Sequence, residues 1–130
     1  AAVDRTVERL RKTPASLPQA MLDARELRKV FLNLIGNALE AMEDGGTLTL
    51  RTCRAERGFL ETMVEDTGCG MSDETRARAF DLFFTTKDTG TGLGMAIARA
   101  VIEQHGGRIE IWSQIGRGTQ VRVLLPLEAP

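Results

Sequence analysis

The sequence contains no tyrosine, a single histidine, a single tryptophan, two cysteines and no long apolar run. Two thiols, Cys53 and Cys69, cannot build a disulfide scaffold, and their spacing is not the CxxC of a metal or redox site, so both are read as reduced. One imidazole excludes the multi-histidine clusters of many metal and phosphate-handling sites. No stretch approaches the roughly 20 apolar residues of a membrane-spanning helix, and no charged-then-apolar leader opens the chain, which predicts a soluble, intracellular protein without membrane insertion. An excess of charge is also missing. The 17 Lys and Arg against 18 Asp and Glu leave a formal net charge of -1, and without a basic run there is no electrostatic footprint for nucleic acid.

What remains is a chain of 130 residues, long enough for one domain to bury its own core. Glycine is in surplus, with 13 residues against an average usage of about 7%. Most lie between Gly68 and Gly118, as pairs or triplets one residue apart, where backbone freedom is wanted.

Hydrophobic periodicity organises the chain into a run of helices and strands. Val3, Val7 and Leu10 predict a short opening helix that Pro14 and Pro18 end. Asp23 followed by Glu26 makes a helix start of the capping-box type. From Leu27 to Met42 apolar residues recur at steps of three and four, giving one wide stripe, with Asn33 and Asn37 side by side on its flank. Gly45 and Gly46 should stop this helix. Thr47 to Cys53 and Phe59 to Asp66 read as the arms of a hairpin turning near Arg57 and Gly58. Ser72 should cap a helix carrying Asp73 and Glu74 in its first turn, ending around Phe83. A polar loop from Thr85 to Gly92 then leads to a helix from Leu93 to His105, stopped by Gly106 and Gly107. Two strands, Arg108 to Ile115 and Thr119 to Leu125, close the chain around a tight turn at Gly116 to Gly118.

Three constellations carry possible chemistry. Asp66-Thr67-Gly68-Cys69-Gly70 places a carboxylate at the end of an apolar strand beside two bare glycines. Such a carboxylate accepts a hydrogen bond from an exocyclic amine, and the glycines let a planar ring approach the backbone, as an adenine pocket requires; an Asp-Gly turn capping a strand fits the same residues. Gly90-Thr91-Gly92-Leu93-Gly94 opens a helix whose free amides suit phosphates, although it is neither a P-loop nor preceded by the strand of a dinucleotide fold, and a plain flexible loop accounts for it equally. Asn33 and Asn37 offer amide oxygens to a hard cation such as Mg²⁺, or simply line a solvated helix edge.

Taken together and in order, Asn33-Leu34-Ile35-Gly36-Asn37-Ala38, Asp66 to Gly70, Phe80 to Lys87, Gly90 to Gly94 and Gly116-Arg117-Gly118-Thr119 resemble a known series. They look like the N, G1, F, G2 and G3 boxes of the catalytic ATP-binding domain of sensor histidine kinases, whose superfamily includes DNA gyrase, heat-shock chaperones and mismatch-repair ATPases. The match covers about residues 23 to 126, and the Phe83-Phe84-Thr85-Thr86-Lys87 wording is most similar to the nitrogen-regulation type. The resemblance implies a Bergerat-type α/β two-layer sandwich: a mixed β-sheet with helices on one face and ATP held at the helical side beneath a glycine-hinged lid.

Residue by residue, the resemblance implies that Asp66 holds the adenine amino group and that Gly68 and Gly70 shape its pocket. Thr119 joins the adenine hydrogen-bond network. Asn37 with Asn33 binds Mg²⁺, Gly90, Gly92, Leu93 and Gly94 lie by the phosphates, and Lys87 reaches the terminal phosphate. Phe80, Phe83 and Phe84 anchor the lid. Where hydrolysing members of the superfamily carry a Glu one turn before the metal-binding Asn, this chain has Asn33, which cannot act as a base. Slow hydrolysis and transfer of the γ-phosphoryl group to a protein nucleophile are therefore expected.

His105 stands at a helix end, without the Glu or Asp that follows an acceptor histidine, so a structural role is expected for it. The acceptor is then expected on a separate dimerisation domain that passes the phosphoryl group to a response regulator. Residues 1–12 read as a helical link from such a domain and 13–130 as the catalytic domain, a monomer by itself, cytoplasmic and bacterial. Two departures from the family pattern stand out. The strand expected between the first helix and the N box has only Thr13 to Leu22, and Glu40 replaces a basic residue three after Asn37. A nucleotide-sensing module without turnover and a Ser/Thr kinase of the anti-sigma type share the same pocket. A chaperone-like hydrolysing ATPase ranks below both.

Overall fold

The computed structural model describes residues 23–82, 84 and 94–127. The expected opening helix, the curtailed strand Thr13 to Leu22, and the lid residues Phe83, Lys87, Gly90, Gly92 and Leu93 lie outside the described residues.

The first described element, helix α1 (Ala24–Glu40), begins where Asp23 accepts hydrogen bonds from the amides of Arg25 and Glu26 at 3.0 and 3.3 Å, satisfying two of the orphan donors of a helix start. It ends at Glu40, before the glycines expected to stop it. The carbonyl of Ala41 accepts the Cys69 amide at 3.2 Å instead of continuing the helical ladder. Strands β1 (Leu48–Ala55) and β2 (Phe59–Asp66) then form the predicted hairpin around a single 3₁₀ turn at Glu56–Gly58. Helix α2 (Asp73–Ala77) is capped by Ser72, whose Oγ accepts the Thr75 amide at 3.1 Å. It is shorter than its sequence pattern predicts, because beyond Ala77 the chain tightens into i to i+3 turns, Ala79 to Arg76 and Asp81 to Arg78. Helix α3 (Gly94–Gln104) and strands β3 (Arg108–Gln114) and β4 (Gly118–Pro126) complete the described fold.

The four strands are ordered β1-β2-β4-β3, and all three pairings among the described residues are antiparallel. Helices α1 and α3 cover one face. Leu27, Val30, Leu34 and Ala38 of α1 meet Ala98, Val101 and Ile102 of α3 over Leu48, Val64, Ile109, Val121, Val123 and Leu125 of the sheet. Leu34, Ile102, Val64 and Val123 are the largest fully buried side chains, each contributing on the order of 1.5–3 kcal/mol of hydrophobic stabilisation. This is the expected two-layer sandwich.

The other sheet face is open. Its cross-strand ladder is polar: Arg122 pairs with Glu61 and, at 3.6 Å, with Glu110, while Gln120 donates to Glu65 at 2.9 Å. Trp112 is exposed on this face. Cys53 and Cys69 are exposed and unbridged. None of the described helices is long and apolar enough to cross a membrane.

His105 is a strut. Its Nδ1 lies 2.7 Å from the Val101 carbonyl and its Nε2 3.2 Å from the Asp23 amide. A carbonyl only accepts and an amide only donates, so Nδ1 carries the proton and the ring is neutral. It joins the end of α3 to the start of α1.

Candidate functional site

One row of the sheet's helical face collects the polar groups. The strand register aligns Leu48, Asp66, Thr119 and Ser113 across β1, β2, β4 and β3. Asp66 is 6% exposed and Ser113 8%, the two buried polar side chains among the described residues. Asp66 accepts the Gly68 amide at 2.8 Å and the Thr119 amide as well. A carboxylate has about four acceptor positions, so these two bonds leave capacity for a further donor. Burial pushes the Asp66 carboxyl above the usual carboxylate range, the two backbone amides pull it back, and neighbouring Glu65 adds to the rise. A carboxylate kept partly desolvated in this way gains strongly from an added hydrogen-bond donor.

The loop after Asp66 is gripped from both sides. Near α1, a Cβ on Gly68 would run into the Ala41 carbonyl and lie 2.8 Å from the Ala41 Cβ. Near the β3–β4 turn, Gly70 has φ +71 and a Cβ there would collide with the Gln114 carbonyl oxygen and lie 2.7 Å from its carbon. The Gly116 amide bonds the Cys69 carbonyl at 2.9 Å, and the Met71 amide bonds Ser113 Oγ at 2.8 Å. These contacts turn a flexible Gly-x-Gly sequence into a fixed wall.

Asn33 and Asn37 lie one turn apart on α1, both at the border between core and solvent. The Asn33 carboxamide packs on the first residue of α3: a Cβ on Gly94 would overlap its oxygen and lie 2.9 Å from its Cγ, and its Nδ2 is 3.8 Å from Met95 Sδ. The structure thus brings Asn33 to Gly94, and Asp66 to Gly68, Thr119 and, through Ser113, the Gly70 loop. Lys87, Gly90, Gly92 and Leu93 are outside the described residues. Ser113 was not singled out by the sequence reading. The available signal was its place after Ile109 and Ile111 at the inward positions of β3, where a hydroxyl interrupts an apolar alternation.

A concavity of about 610 Å³ occurs on the opposite, outer face, lined by residues that include Glu61, Glu110, Trp112 and Arg122. Its charges already pair with one another, and it is shallow and open to solvent, unlike the buried row at Asp66.

Residues 22–129 match the model of the histidine kinase-, DNA gyrase B- and HSP90-like ATPase family. The chain belongs to that family. Among curated relatives of this ATPase domain, the sensor protein FixL of Bradyrhizobium diazoefficiens is 40% identical over 108 residues, 82% of this chain and 21% of that protein. Sporulation kinase E of Bacillus subtilis is 33% identical over 111 residues, 85% of this chain and 15% of that protein. Among solved structures, the nucleotide-free catalytic domain of histidine kinase ThkA superposes with a TM-score of 0.78 at 27% identity, covering 98% of this chain and 89% of that one. Full-length ShkA in complex with AMPPNP gives 0.77 at 33% identity, over 85% of this chain and 23% of that one. This histidine kinase-type ATPase domain spans only about 15–25% of the length of the curated relatives it matches, all of them bacterial proteins.

Proposed function

We propose that this domain binds Mg·ATP between α1, α3 and the sheet row at Asp66, and donates the γ-phosphoryl group to a histidine on a separate dimerisation domain. The observation that carries the nucleotide reading is the buried Asp66 carboxylate, fixed by two backbone amides with acceptor capacity to spare. It would take the adenine amino group, with Gly68 and Gly70 forming the ring's wall and Thr119 beside it. Gly94, together with Gly90, Gly92 and Leu93 on sequence grounds, would lie by the phosphates at the start of α3, where free amides favour anions. Lys87 enters on the same sequence grounds as a charge partner for the terminal phosphate.

The donor set suits Mg²⁺. Among the described residues no three His, Cys, Asp or Glu side chains gather as a metal cluster, and Asn37 with Asn33 offers two neutral amides one helical turn apart. A cation that keeps most of its waters and takes its remaining ligands from phosphates needs no more. When bound, Mg²⁺ neutralises charge on the phosphates and on the departing diphosphate.

Transfer is favoured over hydrolysis by what α1 lacks. A carboxylate at position 33 would activate water; the Asn33 amide cannot take a proton, and it is packed against Gly94. In the transfer step a lone pair of the acceptor imidazole forms a bond to the γ-phosphorus as the bond to the β,γ-bridging oxygen breaks and ADP leaves. Residues 1–12 would link to the domain carrying that imidazole, and residues 13–130 would form the catalytic unit, monomeric by itself. The parent kinase would work on the cytoplasmic side, with a response regulator as the final acceptor.

The test is label transfer. With ATP labelled at the terminal phosphate, the chain should give acid-labile label on its cognate dimerisation domain, and Asn37→Ala and Asp66→Ala should abolish it. Acid-stable label would indicate a Ser or Thr acceptor, and rapid turnover without a partner would indicate a hydrolase; either overturns the proposal.

A further inference from the structure

Ser113 Oγ has three polar neighbours: the Met71 amide at 2.8 Å, the Gly118 carbonyl at 3.1 Å and Thr119 Oγ1 at 2.8 Å. A serine hydroxyl has one proton and two lone pairs. The Met71 amide can only donate, so it takes one lone pair. The Gly118 carbonyl can only accept, so it takes the proton. One wiring satisfies all three contacts, and in it Thr119 donates its hydroxyl proton to the remaining lone pair of Ser113. Thr119 Oγ1 is then left with lone pairs alone to offer to anything else.

We infer that Ser113 is a base-specificity residue acting through Thr119: it holds the Thr119 hydroxyl as an acceptor beside the Asp66 carboxylate, so that this pair of side chains presents acceptors only and selects an amino over an oxo group on the purine ring. The inference rests on the reading of Asp66 as the base site. Thr119 is the register partner of Asp66, and its backbone amide already bonds the carboxylate, so the two side chains face one ligand edge. An exocyclic amine has two protons to give to such a pair. A 6-oxo purine has a carbonyl oxygen at that position, which meets lone pairs. Ser113 is a positioning residue. It is 8% exposed, and it ties the Gly70 loop to β4 at the same time.

The experiment measures dissociation constants of the chain for ATP and for inosine triphosphate, which carries the 6-oxo group. Ser113→Ala frees the Thr119 rotor to donate, and the ATP preference should fall by roughly tenfold, the scale of one hydrogen bond. Ser113→Thr retains the hydroxyl and should restore the preference. Thr119→Val leaves the Ser113 bonds to Met71 and Gly118 in place, so its fold should be kept. It should lose the same preference, and adding Ser113→Ala to it should change the ratio no further. Equal weakening of both nucleotides by Ser113→Ala would assign Ser113 a merely structural part, and an unchanged ratio in Thr119→Val would overturn the inference even if Ser113→Ala fails to fold. If the unmodified chain binds no ATP, the pocket reading falls and this inference with it; ATP binding with an unchanged ratio overturns this inference alone.

Discussion

Gly70→Ala is the sharpest structural probe of the pocket wall, because its cost separates into parts that a second glycine isolates. At φ +71 an L-residue pays the left-handed penalty, about 1–2 kcal/mol. The new Cβ would also collide with the Gln114 carbonyl oxygen and lie 2.7 Å from its carbon and 3.1 Å from Ile115 Cα. All three are backbone atoms, which cannot rotate aside, so the loop must move away from β3. Two hydrogen bonds flank the position, Gly116 amide to Cys69 carbonyl and Met71 amide to Ser113 Oγ, and each is worth about 0.5–1.5 kcal/mol net. Their loss brings the expected destabilisation to about 2–5 kcal/mol. Gly116→Ala is the control. Its φ is +81 with nothing within 4 Å of the added Cβ, so only the left-handed penalty of about 1–2 kcal/mol applies. Denaturant unfolding of both variants, with nucleotide titration of each, should show Gly70→Ala less stable and weaker in ATP binding. Equal stabilities and equal affinities would refute the account of a loop clamped between α1 and the β3–β4 turn.

Further outcomes follow from the same contacts. Because the folded Asp66 pKa is raised by burial, its contribution to stability is complete below the unfolded value of about 3.9 and is lost as pH rises through the folded value. A donor amine favours the ionised form, so ATP affinity should fall as pH falls through that same raised pKa. Calorimetry across acid pH checks this, and Asp66→Asn should bind weakly with a flat profile. At Gly94, the first residue of its helix, a new Cβ would displace the Asn33 carboxamide; that side-chain end can rotate aside, so Gly94→Ala should leave the unfolding midpoint nearly unchanged yet weaken nucleotide binding by moving the amide, as unfolding and titration of the same variant will show. Nitrogen NMR of the single imidazole should find the Nδ1-protonated tautomer, and His105→Ala should speed exchange of the Asp23 amide; an Nε2-protonated ring would contradict the strut.

Much of this was legible in the sequence because it rests on local rules. The stripe from Leu27 to Met42 fixes which face of α1 is buried, the alternation around Leu48 and Val64 gives the hairpin, and Asp66 with its glycines announces a carboxylate beside a backbone with no side chains. What was hidden depends on register. Ser113 becomes a hub because β3 and β4 align it with Thr119 while the Gly70 loop arrives from another part of the chain. The early end of α1 has a similar cause, since Ala41 gives its carbonyl to Cys69, far along the sequence. His105 reads as a residue suited to a helix end, yet its function in the fold is set by Asp23, whose amide no spacing rule would bring to it.

In the proposed function the base lies at the buried row of the helical face and not in the open depression of the outer face. Amide NMR during ATP titration tests it directly. The largest shifts should fall at the Gly68 and Thr119 amides, which bond the Asp66 carboxylate, and in the side-chain amides of Asn33 and Asn37, with the Trp112 indole unmoved. Shifts centred on Trp112, Arg122 and Glu61, with Gly68 and Thr119 unchanged, would contradict it.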